Sequence, residues 1–157
     1  MPTSIFGLVI PDHPDPRMEA CHQLTGNIIQ AINQPGYHEY QPLGIGETAM
    51  DFVLNKLANF GYHQRHEGQP IQSKDIILMY ENGCLNHSMV ALRCNLWFGV
   101  NNLNTFGPSF VHLGIPADTL PYRREIDMQL FPGFTPISRV VTLPDGRAFE
   151  IAVYSND

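Results

Sequence analysis

Apolar residues recur at helical spacing in the N-terminal part of the chain. A first segment, which we predict to be a helix from Pro16 to about Asn33, has an apolar stripe formed by Met18, Cys21, Thr25, Ile28, Ile29 and Ile32. Asp15 can cap this helix, and proline is well tolerated at the first helical position, where its missing N–H would be unpaired anyway. The pattern therefore places Cys21 on the core side of the helix.

A second amphipathic helix is predicted from Glu47 to Phe60. Its inward residues are Ala49, Met50, Val53, Leu54, Leu57 and Phe60. Gly61 stands where a glycine commonly ends a helix, so this segment has both a body and a stop signal. Upstream of both helices, Ser4–Ile10 predicts a strand or an extended entry segment, and the prolines of Pro11–Pro16 break regular structure.

From Ile71 onward the pattern changes to that of a sheet. The predicted strands are Ile76–Tyr80, His87–Leu92, Leu96–Val100, a short one near Glu125–Leu130, Arg139–Leu143 and Ala148–Tyr154. Glu81-Asn-Gly83 and Pro144-Asp-Gly146 are turn signals between strands. We therefore predict an α+β fold, with two N-terminal helices packed on a mainly antiparallel sheet of about five or six strands. Residues 1–157 would form a single domain.

Charge and composition exclude several classes of partner. The 157 residues carry a formal charge of -6 with only nine Lys and Arg, which argues against nucleic acid as a partner. The three cysteines do not suggest a disulfide framework and fit a reducing compartment. The chain start lacks a signal-peptide pattern, and no apolar stretch approaches membrane-spanning length. We expect no membrane partner, and either a cytoplasmic location or export by a dedicated secretion system.

Three residue types that act together in thiol hydrolases occur in a suggestive order. Cys21 lies on the first predicted helix, His87 opens a predicted strand, and Asn101 and Asn102 follow the next strand. A thiol near a helix start is stabilised as thiolate by the helix dipole, an imidazole accepts its proton, and a carboxamide orients the imidazole.

The motifs around these residues resemble those of the papain-like superfamily in its compact NlpC/P60 and CHAP forms. Lys74-Asp75-Ile76-Ile77-Leu78 is similar to the Gly-Asp strand of that family, Asn86-His-Ser-Met-Val-Ala-Leu92 to its histidine strand, and Trp97-Phe-Gly-Val-Asn-Asn102 to the strand with the third polar residue. The resemblance covers residues 15–105. It implies a papain-like fold, Cys21 as nucleophile, His87 as base and Asn101 or Asn102 as its orienter.

The same resemblance implies a substrate class and no cofactor. Compact members cut amide bonds in peptidoglycan peptides, and others are secreted toxins or effectors that act on host proteins. We therefore expect a peptide, peptidoglycan or protein substrate, with an inhibitor or immunity protein as a further partner. Hydrolysis, deamidation and acyl transfer share one acyl-enzyme and stay open.

Four further residues are candidates for substrate contact: Asp12, His22, Gln23 and Trp97. The chain departs from the family if the helix begins at Pro16, because Cys21 then lies past the first turn. A helix start near Glu19 restores the dipole effect on the thiol. The oxyanion would be bound by the N–H of Cys21, with the side chain of His22 or Gln23. Asp12 would line a wall of the cleft, and Trp97 would pack in the core or over the histidine strand.

Each of these residues also has a structural interpretation. Cys21 alone is more often a small buried hydrophobe, and the chain would then be a non-catalytic binding, immunity or adaptor protein. Cys84 and His87 have the spacing of half a zinc site, which His63 or His66 would have to complete, but no second pair exists and we predict no metal. Cys84 is a weaker nucleophile candidate than Cys21, and Cys94 is predicted to be structural.

Overall fold

The computed structural model describes residues 3–10, 20–34, 36, 39–99, 124–127, 134–142 and 146–157. Within these ranges the chain forms the strands β1 (Thr3–Ile5) and β2 (Leu8–Ile10), the helices α1 (Ala20–Asn33) and α2 (Ala49–Asn59), and the strands β3 (His63–Arg65), β4 (Ile76–Glu81), β5 (Cys84–Arg93), β6 (Leu96–Gly99), β7 (Arg124–Asp127), β8 (Val140–Thr142) and β9 (Ala148–Ser155). Asp12, Asn101 and Asn102 lie outside the described residues.

The chain begins with a hairpin rather than the single extended segment predicted for Ser4–Ile10. β1 and β2 pair antiparallel, and the two residues between them, Phe6 and Gly7, both have positive φ angles of 50° and 88°. Turns with this geometry match the twist of the flanking strands. The prediction missed the turn because Phe6 is not a residue that normally marks one.

Helix α1 is buried on almost all sides. Every residue from Cys21 to Ile29 is buried, including the polar residues His22, Gln23, Thr25 and Asn27. The predicted apolar stripe accounts for one face only. Gln23 and Asn27 are covered by the segment before α2, since both bond to the backbone of Gln41, and His22 is covered by β5, where it contacts Ser88.

Helix α2 ends at its predicted stop signal but begins at Ala49 rather than at Glu47. Thr48 is the N-cap residue, and its Oγ1 accepts a hydrogen bond of 3.1 Å from the backbone N–H of Asp51. Gly61 follows the helix with φ at 69°, a left-handed conformation that glycine adopts without steric cost. The inward residues are Ala49, Phe52, Val53 and Leu57. Leu54 was predicted to be inward, but it is 38% exposed.

The main sheet has seven strands in the described part of the chain, in the order β3-β9-β4-β5-β6-β7, with β8 paired to β9. All of its pairings are antiparallel. The structure thus confirms an α+β fold with two helices and a mainly antiparallel sheet. The predicted number of strands was too low because β3 has only three residues, and neither His63 nor Gln64 is apolar.

Strand β5 begins earlier than its apolar run suggests. It starts at Cys84, so His87 lies inside the strand. The prediction that His87 opens the strand was therefore wrong. A β-bulge interrupts the pairing of β4 and β5 between Met79 and Tyr80, which face His87 and Leu85. Both chain neighbours of His87, Asn86 and Ser88, therefore lie in the strand rather than in a loop.

Candidate active site

Ser88 connects helix α1 to the middle of strand β5. Its hydroxyl is fully buried and donates a hydrogen bond of 3.3 Å to the backbone carbonyl of Cys21. The same Oγ lies 2.9 Å from Nδ1 of His22. The first turn of α1 is therefore bound directly to the strand that carries His87.

These two contacts determine which nitrogen of His22 carries the proton. The Cys21 carbonyl can only accept a hydrogen bond, so the single proton of the Ser88 hydroxyl is used in that bond. Nδ1 of His22 must then donate to Ser88 Oγ. In the neutral ring this leaves Nε2 as the unprotonated, basic nitrogen.

His87 projects from the opposite face of β5. Successive side chains of a strand point to opposite faces, and Ser88 faces α1. A Cβ atom added at Gly99 would lie 3.1 Å from Cγ of Met89 and 3.5 Å from Nε2 of His87. Gly99 therefore makes room for the imidazole of His87, which packs on the same side of the sheet as Met89.

Burial makes both histidines much weaker bases than usual. Desolvation lowers the pKa of His22 to about 4. Desolvation, followed by repulsion from His22, lowers the pKa of His87 to about 3. Both imidazoles are neutral at pH 7, the state in which an imidazole can accept a proton.

Cys21 is the second residue of α1 within the described range. Its side chain is only 1% exposed, His22 is 2% exposed and His87 is fully buried. Cys21 and His22 lie on the side of β5 that α1 covers, whereas His87 projects from the other face, so the contact through Ser88 does not place the thiol on the His87 ring. The pairing of Cys21 with His87 stays a prediction.

Two of the predicted substrate-contact residues make structural contacts. Nε2 of Gln23 donates a hydrogen bond of 3.2 Å to the carbonyl of Gln41, beside an equivalent bond of 3.0 Å from Asn27. Trp97 is fully buried, donates through Nε1 to the carbonyl of Cys94 at 3.3 Å, and meets Phe134 edge to face. A role in substrate binding stays a prediction for Gln23 and Trp97, as it does for His22 and Asp12.

Among the residues that the structure describes, no group of three or more His, Cys, Asp or Glu side chains is placed to hold a metal ion. Cys84 is exposed at the start of β5, whereas His87 is buried inside the strand. Cys94 is also exposed. These two exposed thiols can serve as references when labelling of the buried thiol of Cys21 is measured.

Ser88 is the one member of this site that sequence reasoning missed. Its signal was present, since Ser88 is a hydroxyl residue inside the apolar run from His87 to Leu92. A polar side chain in such a run must find a hydrogen-bond partner when it is buried. The sequence alone could not show that the partner would be the helix carrying Cys21.

Comparisons of this chain with protein-family models, with curated proteins and with solved structures found no match. Neither helix in the described ranges is long and apolar enough to cross a membrane.

Proposed function

We propose that this protein is a cysteine-dependent hydrolase that cleaves an amide or isopeptide bond, with Cys21 as nucleophile and His87 as base. The observation that carries the proposal is the contact of α1 with β5 through Ser88, which brings the thiol-bearing turn onto the histidine strand. The consecutive antiparallel pairing of β4, β5 and β6 also supports a compact papain-like arrangement.

In this mechanism neutral His87 accepts the proton of the Cys21 thiol as sulfur attacks the substrate carbonyl. The imidazolium then donates that proton to the leaving amine as the amide bond breaks, which leaves an acyl-enzyme. Water hydrolyses the thioester, and the thiol is regenerated. Asn101 or Asn102 would orient the imidazole, and the N–H of Cys21 would bind the oxyanion.

The proposal requires an open and rearranged state, because Cys21 and His87 are both buried and His87 projects from the face of β5 opposite to α1. Local opening of a buried contact is a normal property of folded proteins. This requirement provides a test, because a catalytic role and a purely structural role of His87 predict opposite changes in the labelling rate of Cys21.

The test is the rate at which iodoacetamide labels Cys21 in native protein, read for each cysteine by mass spectrometry. If His87 activates the thiol, His87→Asn should slow labelling of Cys21 at least about tenfold, since a general base typically contributes more than this. If His87 only fills the core, the substitution should weaken packing, increase opening and speed up labelling.

Ser88→Ala is the matched control, since it breaks the contact between α1 and β5 but leaves the base in place. It should speed up labelling of Cys21 under either interpretation. Cys84 and Cys94, both exposed, are internal references in every sample. An unchanged or faster rate in His87→Asn would rule the hydrolase out.

The substrate class is testable with peptidoglycan sacculi and with denatured casein as separate substrates. Release of new amino groups from one of them by the native protein, and not by Cys21→Ala, would identify the kind of amide that is cut. We propose peptidoglycan peptides or a protein target, as for an effector delivered by a secretion system.

A non-catalytic binding protein is the second candidate function. The observation that favours it is the burial of Cys21, His22 and His87, each no more than 2% exposed. In such a protein the three side chains would only join α1 to the sheet. Faster labelling of Cys21 in His87→Asn would support this candidate.

A further inference from the structure

A cavity of about 280 Å³ lies away from the contact between α1 and β5. It is enclosed by the C-terminal end of α1, Tyr62 after α2, the turn that precedes β4, and the residues at the end of β9. Small-molecule sites in proteins begin at about this volume, so the cavity can hold a small molecule but not a polymer segment.

One wall of the cavity is a fixed network of charges. Nε of Arg65 donates to Oδ2 of Asp75 at 2.8 Å, and Nη2 donates to Oγ of Ser155 at 2.9 Å and to Asp157. The side chains of Arg65 and Asp75 are only 9% and 3% exposed, whereas that of Asp157 is 54% exposed. The wall is therefore rigid, and its exposed charged group is the carboxylate of Asp157, which contacts Arg65, Ser155 and His63.

The opposite charge at the cavity comes from Lys74. This residue has φ at 74°, a conformation that costs a lysine energy and that is found preferentially at functional positions. The turn is held by a hydrogen bond of 2.7 Å from the Lys74 N–H to the carbonyl of Ala91. Within the described chain, the Lys74 ammonium contacts the Phe6 ring, 5.8 Å from its centroid, and no carboxylate.

The floor combines a hydroxyl donor with apolar surface. Tyr62 Oη accepts a hydrogen bond of 2.9 Å from Nδ2 of Asn33. Burial raises the pKa of Tyr62, so the phenol keeps its proton at neutral pH and can donate it. Ile32 and the Tyr62 ring add apolar surface to the same cavity.

We propose that this cavity binds a small zwitterion, a free α-amino acid or a dipeptide. Lys74 and the Tyr62 hydroxyl would bind its carboxylate, and Asp157 would bind its ammonium group. Ile32 and the ring of Tyr62 would contact an aliphatic side chain. Lys74 and Asp157 give the lining charged side chains of both signs, which matches the two charges of a zwitterion. The hydrogen bond from Arg65 lowers the pKa of Asp157, so this carboxylate stays ionised.

The experiment is a titration of isotope-labelled protein, followed by amide NMR shifts, with four probes: leucine, alanyl-alanine, N-acetyl-leucine and leucinamide. Leucine and alanyl-alanine should give saturable shifts at Tyr62, Lys74 and Asn156. N-acetyl-leucine lacks the ammonium group and leucinamide lacks the carboxylate, so each should bind at least about tenfold more weakly.

The variants are chosen to keep the fold. Lys74→Asn removes the charge but tolerates a positive φ, and Asp157→Asn changes an exposed side chain. Each should weaken leucine binding at least about tenfold, while Lys56→Gln, a lysine outside the cavity, should not. The proposal fails if neither leucine nor alanyl-alanine gives saturable shifts. It also fails if the blocked probes bind as tightly as leucine, or if both charge variants bind leucine as tightly as the native protein does. It does not depend on hydrolase activity, since the cavity is lined by none of the proposed catalytic residues.

Discussion

The two buried imidazoles make the stability of this protein depend on pH. His22 and His87 have pKa values of about 4 and about 3 in the folded chain, against 6.5 as the ordinary value. Between these values the unfolded chain binds protons that the folded chain does not. Acid therefore stabilises the unfolded state, and the destabilisation caused by these two residues is absent above pH 6.5.

We expect the free energy of unfolding to fall as the pH drops from 6.5 towards 4, by up to about 1.4 kcal/mol per pH unit for each histidine. Urea unfolding at a series of pH values measures this slope. His22→Asn should reduce the slope by removing one of the two buried bases.

Ser88→Ala is the control for this prediction. It removes the hydrogen bond to His22 without removing a titrating group, so it should lower stability at every pH and keep the slope. A slope that is the same in native protein and in His22→Asn would contradict the assignment of a low pKa to His22.

At the scale of residues, the sequence predicted the burial of Cys21 but not the contacts around it. Cys21 is buried on α1, as its place in the apolar stripe predicted, and its catalytic pairing with His87 stays a prediction. The sequence could not predict that Ser88 faces the helix and His87 faces away from it. That alternation depends on strand register, which a bulge between Met79 and Tyr80 shifts and which no apolar pattern reveals.

At the scale of elements, the two helices approach each other closely at Gly26. A methyl group added there would overlap the ring of Phe52, which is 4% exposed. Gly26 therefore lets α1 and α2 pack in direct contact. A glycine inside a helix is otherwise unfavourable by about 1 kcal/mol relative to alanine, so close packing is the physical reason for its presence.

Gly26→Ala should destabilise the protein by about 1–3 kcal/mol, because overpacking outweighs the gain in helix propensity. Thermal and urea unfolding would measure the change. In the background Phe52→Leu, where the ring is gone, the same substitution should cost much less. Equal costs in the two backgrounds would show that the ring is not what Gly26 accommodates.

Elements with strong local signals were predicted well, and those defined by pairing were not. The stop of α2 before Gly61 and the hairpin partners β8 and β9 were predicted from glycine and turn residues. Strand β3 has no apolar pattern, and it is a strand because its residues pair with Ser155, Tyr154 and Val153 of β9. Such long-range pairing leaves no trace in a local window of sequence.

At the scale of the whole molecule, Arg65 joins three distant parts of the chain. It lies on β3, and its guanidinium bonds to Asp75 before β4 and to Ser155 at the end of β9. Gln72 also contributes, because its side-chain Oε1 accepts from Arg65 at 3.0 Å and its N–H donates to Asp75 at 2.8 Å. A buried charge in such a network is stable only while its partner is present.

Arg65→Met should lower the free energy of unfolding by about 3–5 kcal/mol, because it leaves the Asp75 carboxylate buried without its cation. Urea unfolding of this variant, and of Arg65→Met combined with Asp75→Asn, provides the measurement. The double variant should recover part of the loss. A single-variant loss below about 1 kcal/mol would instead class the pair with weak surface ion pairs.

The central position of β9 has a consequence for how the protein is made. β9 lies between β3 and β4, although about 70 residues of chain separate it from β4. During synthesis β3 and β4 leave the ribosome well before residues 148–155, and the strand that joins them is still missing. The apolar side chains of Ile77 and Met79 then lie on the edge of β4 that β9 will later pair with. Assembly of this sheet is thus a late event, and the nascent chain carries an aggregation-prone edge that a chaperone would be expected to cover.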